Sequence, residues 1–446
     1  MLTIHTSNRY LPEKEYCYHV VLRELLDWDF RIVVSETEKN HRLLLPNGSE
    51  ITVEDHFFRR FAEPEPGSPP PYLHRENIPP AISGRMEWQG EDYFVLFGHP
   101  HISTEARKIA CCADLFASAF FMLTRWEEYV LPDRDEHGRF PAEKSLAGRA
   151  GFLNRPVVNE YAALLRQLAA RLGWDPPAPA RTFRLTVTCD VDHPRLWWSA
   201  ADRLRTLGGS LLRRGNFAET RFWLKNHAFR TGDPYDVFDE WVDLLEQNGL
   251  TGHFNFLGKR PPSSNCWYPL EHPAVRGLIR NLAGRGQQIG FHPSYEAFGD
   301  REVFGRELAS LRAVSPVPVT TGRQHYLRFA VPDTWQVWEE AGMDWDSTLG
   351  YPEAEGFRCG ICCDYPVFDI LRRQMLRLRE KPLTAMEVTL VQYRRYTPET
   401  AFEKLSALRR QTVRHNGEFV LLWHNSSWNT YFWAGWRDVF RAFISW

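Results

Sequence analysis

The chain lacks a long apolar run. Its longest, residues 113–123, is broken by Asp114 and Ser118, far short of the ~20 residues a membrane helix needs, so no membrane span is expected. The start, MLTIHTSNRY, lacks the basic stretch followed by an apolar one that marks a secretory signal, and a cytoplasmic location is expected. No long basic run is present and the formal net charge is −2, which argues against nucleic acid as a partner. The eight cysteines lack a paired motif: Cys359-Gly360-Ile361-Cys362-Cys363 holds one CxxC with no second pair at matching spacing. A structural zinc knot is therefore not expected, and free thiols are. There is no internal repeat. With 446 residues, 43% hydrophobic and 25% charged, usage is that of ordinary globular chains with two or three domains, not of disordered or collagen-like ones. Oligomeric state is not legible. What is abundant is tryptophan, 17 of it, within an aromatic share of 14%. Flat aromatic faces line sugar clefts, but they fill large cores more often.

A Pro-rich stretch, Asp175-Pro176-Pro177-Ala178-Pro179-Ala180, follows a helical repeat of Val157, Tyr161, Leu164, Leu165 and Leu168 and reads as a linker. The expected division is an α+β domain over residues 1–175, a linker over 176–182 and a larger domain over 183–446. Before the linker the pattern is mixed: strand-like pieces at 30–35 and 42–45, a long loop at 63–71 and a helix at 111–129. After it, strands at 183–189, 252–257, 288–291, 317–323, 344–348, 385–392 and 418–423 alternate with helices, among them 301–313, 332–341 and 398–415. Such alternation predicts a parallel sheet, and about seven strands suit a (β/α) barrel.

The ionisable residues fall at strand ends. Asp190 and Asp192 close the first strand, His292 follows Ile289-Gly290-Phe291, and Arg323 and His325 follow Gly322. Asp346 follows Trp345, and His424 follows Leu421-Leu422-Trp423. Alone, each reads as a cap, turn or surface charge. Together, at the carboxyl ends of parallel strands where active sites form, they read as one constellation.

From about Phe183 to the end, the chain resembles the NodB-homology polysaccharide deacetylases, carbohydrate esterase family 4. The match rests on Thr188-Cys189-Asp190-Val191-Asp192, Ile289-Gly290-Phe291-His292, Gly322-Arg323-Gln324-His325-Tyr326, Asp346-Ser347-Thr348 and Leu421-Leu422-Trp423-His424. The resemblance implies a distorted (β/α)7-type barrel and a metal-dependent hydrolase that removes an acetyl group from an N- or O-acetylated sugar. It implies a divalent ion, zinc or similar, that polarises the acetyl carbonyl and the attacking water. Asp190 would be the base, oriented by Arg323. Asp192 and His292 would be metal ligands, and His424 the acid, its pKa raised by Asp346. Where the family has a second His, Glu296 stands four residues after His292. On a helical turn it would share that face and complete the metal set; it reads equally as a surface residue, and His193 and His325 are rivals for the place.

Substrate contacts are expected from His325, Tyr326, Arg358 and Trp423, with Trp428, Trp433 and Trp436 as a stacking wall or, equally, as core. In a cytoplasmic setting the substrate would be a nucleotide-linked, lipid-linked or other glycan precursor. Residues Phe120 to Tyr129, with Gly138-Arg139-Phe140 and Pro156-Val157-Val158, resemble an uncharacterised domain that precedes this deacetylase subtype. Two rival functions stay open: a non-catalytic glycan-binding or scaffolding barrel, and a hydrolase of a non-sugar C–N bond.

Overall fold

The computed structural model describes residues 1–226, 232–264 and 266–445. The chain is α/β and forms two compact units that do not follow its linear order. The first joins Met1–Arg184, Arg328–Thr384 and Arg410–Phe419; the second joins Leu185–Leu327, Ala385–Arg409 and Val420–Trp446. The Pro-rich stretch thus lies near the end of the first unit's opening segment, and two later segments fold with that segment.

The second unit carries the strand-end residues Asp190, Asp192, His292, Arg323, His325 and His424. Its strands are β1 (Arg184–Val191, from Leu185 on), β2 (Gly252–Leu257), β3 (Gln288–His292), β4 (Thr321–Gly322), β5 (Ala385–Met386) and β6 (Glu418–Leu422, from Val420 on). They lie in the order β4-β3-β2-β1-β6-β5. The pairs β1/β2, β2/β3, β3/β4 and β5/β6 are parallel, as expected. Strands buried on both faces read as continuous apolar runs, and β6, EFVLL, is buried throughout. Register puts Asn255 of β2 beside Asp190 of β1, and Leu257 beside His292 of β3.

The helices are α1 (Ala200–Gly208), α2 (Phe217–Asn226), α3 (Phe238–Gln247), α4 (Pro273–Gly284), α5 (Arg301–Val314), α6 (Pro398–Arg414) and α7 (Trp436–Ile444). In α3 the buried side chains Phe238, Trp241, Val242 and Leu245 recur at helical spacing, which makes one apolar stripe. Trp241 stacks on Phe440 of α7 with ring centroids 4.9 Å apart and meets Trp428 at 5.7 Å. The tryptophan surplus is largely spent on such packing. The strand expected at 385–392 stops at Met386, and Thr389–Tyr393 winds into a π-helical turn. That break leaves Glu387 at the carboxyl end of β5.

The first unit holds a six-stranded mixed sheet in the order Phe30–Val34, Leu2–Thr6, Asn40–Leu44, Glu50–Glu54, Lys108–Ala113, Gly98–Thr104. The single helix expected at 111–129 is instead a strand, Lys108–Ala113, followed by the helix Leu115–Thr124. Asp114 caps that helix by accepting from the Ala117 N–H at 3.0 Å. The helix ends at Arg125, whose φ of 52° no right-handed helix accommodates.

Arg125 and Glu128 are buried, and Arg125 Nε donates to Glu128 Oε1 at 2.9 Å. Arg358 grips the same carboxylate, Nη2 to Oε2 at 2.5 Å, and caps the Gly350 carbonyl at 2.8 Å. Arg358, expected to meet substrate, is 1% exposed and committed to Glu128. Removing one partner of a buried charge pair leaves the rest uncompensated, at a cost of about 3–5 kcal/mol. Glu128→Ala is therefore expected to lower unfolding stability by that order, read from urea unfolding of the whole chain.

Candidate active site

Asp190 is 2% exposed near the end of β1. Its Oδ1 accepts from Asn255 Nδ2 at 2.7 Å and from Arg323 Nη1 at 3.0 Å. The same Arg323 nitrogen reaches Thr188 Oγ1 at 2.9 Å. Burial pushes the Asp190 carboxyl up, but the Arg323 guanidinium, with His292 and His424, holds it below its ordinary value. A carboxylate so placed stays ionised and aimed, as a general base requires.

Asn255 fits because residue 290 is glycine. A Cβ at Gly290 would stand 2.0 Å from Asn255 Oδ1, a separation no pair of heavy atoms tolerates without displacement. Gly290→Ala is therefore expected to push Asn255 off Asp190. Overpacking of this kind costs about 1–3 kcal/mol. Thermal unfolding together with a lowered kcat checks it.

Asp192, His292 and His325 converge, with ligand atoms all within 4.8 Å of one another. Asp192 Oδ1 lies 3.4 Å from His292 Nε2 and 3.5 Å from His325 Nε2. Tetrahedral zinc with bonds of about 2.0–2.1 Å has ligand–ligand edges of about 3.3–3.4 Å, so the two edges at Asp192 have the right size.

Further observations fit a cation. Asp192 Oδ1 is buried with no hydrogen-bond partner. His292 Nδ1 faces the Arg323 carbonyl at 2.7 Å, which fixes the proton there and leaves the Nε2 lone pair toward Asp192, the usual outer-shell arrangement. Burial pushes His325 down to about 3, so its ring is neutral and able to ligate. Burial opposes the Asp192 charge, yet the carboxyl is held well below the ordinary range, with the protonated His424 among its neighbours.

His325 reaches this place on a strained turn. Tyr326 and Leu327 both have positive φ, 61° and 56°, a conformation that costs non-glycine residues energy and clusters at functional sites. Glu296 does not join. The chain after His292 makes a loop and turns rather than a helix, and Glu296 is exposed. The fourth-residue spacing therefore brings no shared face, and His325 is the third residue of the cluster. His193 is not in the cluster; its backbone carbonyl accepts from Asn425 at 2.9 Å. Tyr326, half-buried, packs edge-on against His325 and Tyr295, with centroids at 4.6 and 5.6 Å.

His424 follows β6. Its Nε2 lies 3.9 Å from Asp192 Oδ2, and its Nδ1 meets Glu387 Oε1 at 2.7 Å. Glu387 also accepts from Ser427 Oγ at 2.8 Å and the His424 N–H at 3.1 Å. Burial works against charge on this ring, but Glu387, with Asp192 and Asp190, raises it to about 9. The carboxylate on His424 is thus Glu387, where Asp346 was expected. Asp346 belongs to the first unit, where it is fully buried, accepts from the Thr348 hydroxyl at 2.5 Å and pairs in register with Glu380.

With its pKa raised, His424 keeps its proton below about 9 and loses it above. Glu387→Gln removes the largest raising influence. The alkaline limb of a rate profile that needs this proton is expected to move to lower pH, checked by kcat against pH.

Trp423 does not face a cleft. Neighbouring residues of an extended chain point to opposite sides, and opposite His424 the indole is 0% exposed, packed on Phe440 at 5.4 Å. Trp428, Trp433 and Trp436 are buried too.

A model of a family of unknown function, DUF7033, matches residues 2–172. No curated protein matches the chain. Solved structures similar to it include a putative polysaccharide deacetylase from Mycobacterium smegmatis. It shares 18% identity at a TM-score of 0.39, over 60% of this chain and 85% of that one. Another is a CE4 family pseudoenzyme from Bacillus anthracis, at 10% identity and a TM-score of 0.32, over 60% of each chain. A mutant of that pseudoenzyme with restored enzymatic activity is similar at 10% identity and a TM-score of 0.31, over 60% of this chain and 62% of the mutant.

Proposed function

We propose that the second unit is a metal-dependent hydrolase that removes an acetyl group from an N- or O-acetylated sugar. The observation that carries this reading is the triad Asp192, His292 and His325, with an Arg-held carboxylate and a Glu-held histidine both at its edge. These three residues would hold the ion. When bound, a divalent cation supplies Lewis acidity toward an acetyl carbonyl and a water.

The chain's own groups do the rest. Asp190 takes the proton from the attacking water, and Arg323 and Asn255 keep it ionised and aimed. His424 enters protonated and gives its Nε2 proton to the departing amine or alkoxide. Glu387 stabilises the imidazolium before that transfer and fixes which ring nitrogen faces the site. A base and an acid whose surroundings push their pKa values apart mark the two proton-transfer roles. A purely glycan-binding barrel has no use for that division, which favours the hydrolase over the scaffold.

The test is acetate release from a panel of N-acetylated sugars, O-acetylated sugars and non-sugar amides, run with zinc, cobalt and manganese. Acetate from the sugars alone supports the proposal. Turnover of the amides alone transfers the site to the non-sugar C–N reading.

A further inference from the structure

We propose that the helical segment after β1 is a docking surface that lays the second unit on an anionic lipid bilayer. Residues 198–224 carry Trp198, Leu204, Leu211, Leu212, Phe217 and Leu224, six of the eighteen exposed large apolar side chains among the described residues. Leu212 is 85% and Phe217 75% exposed. The same stretch carries Arg203, Arg205, Arg213, Arg214 and Arg221, with Lys225 just beyond it, against only Asp202 and Glu219, which pair with Arg205 and Arg214, in a chain whose net charge is −2.

The outward apolar face is not a core face left open, because the segment has an inward face already packed. Trp197 and Trp223 meet at 6.0 Å, Trp197 Nε1 donates to Thr206 at 2.9 Å, and the Ser210 and Thr220 hydroxyls bond at 2.8 Å. On α2, Phe217, Arg221 and Leu224 follow helical spacing on one exposed face, while Trp223 is buried. Apolar side chains interleaved with arginines that keep their heads in water are the pattern of an interfacial helix, which lies on a membrane rather than crossing it. No helix among the described residues is long and apolar enough to span one.

The surplus of cations selects the occupant. A second copy docked about a two-fold axis would set the same basic patch against itself. Anionic headgroups complement it, each Lys or Arg being worth about fivefold in binding near such a surface.

The surface belongs to the site's end of the sheet. The segment begins six residues after Asp192, which follows the end of β1, and Phe222 meets Tyr431, in the loop after His424, at 5.9 Å. If the deacetylase reading holds, docking presents the site to a membrane-borne glycan; the docking itself does not depend on that reading.

Co-sedimentation of the whole chain with phosphatidylcholine vesicles, with and without phosphatidylglycerol, tests it. The expected result is partition to the anionic vesicles that weakens with salt. The pair Leu212→Glu with Phe217→Glu lowers it at least about tenfold. The pair Arg213→Gln with Arg221→Gln lowers it about 10–30-fold. Circular dichroism unchanged in both shows that folding is intact. No partition, equal partition to neutral vesicles, or partition unchanged by both pairs overturns the proposal. So does a wild-type dimer in light scattering that the Leu212→Glu, Phe217→Glu pair dissolves, which assigns the face to a second copy.

Discussion

Asp190→Asn is expected to lower kcat for acetate release by about 10²–10⁴-fold, the range a positioned general base contributes. The amide keeps the size of the side chain and can still accept from Arg323, but it takes no proton. The change also leaves Arg323, 0% exposed, facing a neutral partner, so some stability is lost with the activity. Urea unfolding beside kinetics separates the two: a folded variant with the metal in place and kcat down supports the base role. In the wild type the Asp190 carboxyl is held below its ordinary value. Its contribution to stability is thus present above the usual carboxylate range and lost as pH falls through its own lowered value. A variant with kcat unchanged would remove Asp190 from the chemistry.

His325→Ala is expected to strip the divalent metal, while Glu296→Ala leaves it bound. Outer-shell partners of metal ligands cost about 10–100-fold in affinity when removed, and a direct ligand in a three-residue set costs more. Glu296 is exposed on a turn, so its loss changes neither the charge nor the geometry beside Asp192. Isothermal titration of the metal-free protein with zinc reads both variants directly. Equal affinity in His325→Ala and wild type would assign the third place elsewhere.

The parallel α/β pattern and the residues Asp190, Asp192, His292, Arg323 and His424 were legible in the sequence. Each follows a short apolar strand, and parallel strands deliver their carboxyl ends to one place. Glu387 was hidden because residues 385–392, AMEVTLVQ, read as one β-branched strand, with the glutamate as an ordinary mid-strand residue. Only the turn after Met386 makes it a strand end. Asn255 does carry a signal in the sequence: a lone amide inside the buried strand GHFNFL needs a partner, and that partner is Asp190. Arg358 and Trp423 have side chains suited to sugars and anions, but residue type does not report burial, and both are core. Glu296 shows the limit of spacing arguments: four residues mean a shared face only where the chain is helical.

The most direct test is acetate release from N-acetylated and O-acetylated oligosaccharides by the metal-loaded wild type, before chelation, after it and after zinc is restored, with metal content followed by elemental mass spectrometry. The account predicts near-stoichiometric metal and activity that falls and returns with it. Acetate released at an undiminished rate from metal-free protein, or a protein that takes up no divalent ion at all, would contradict it.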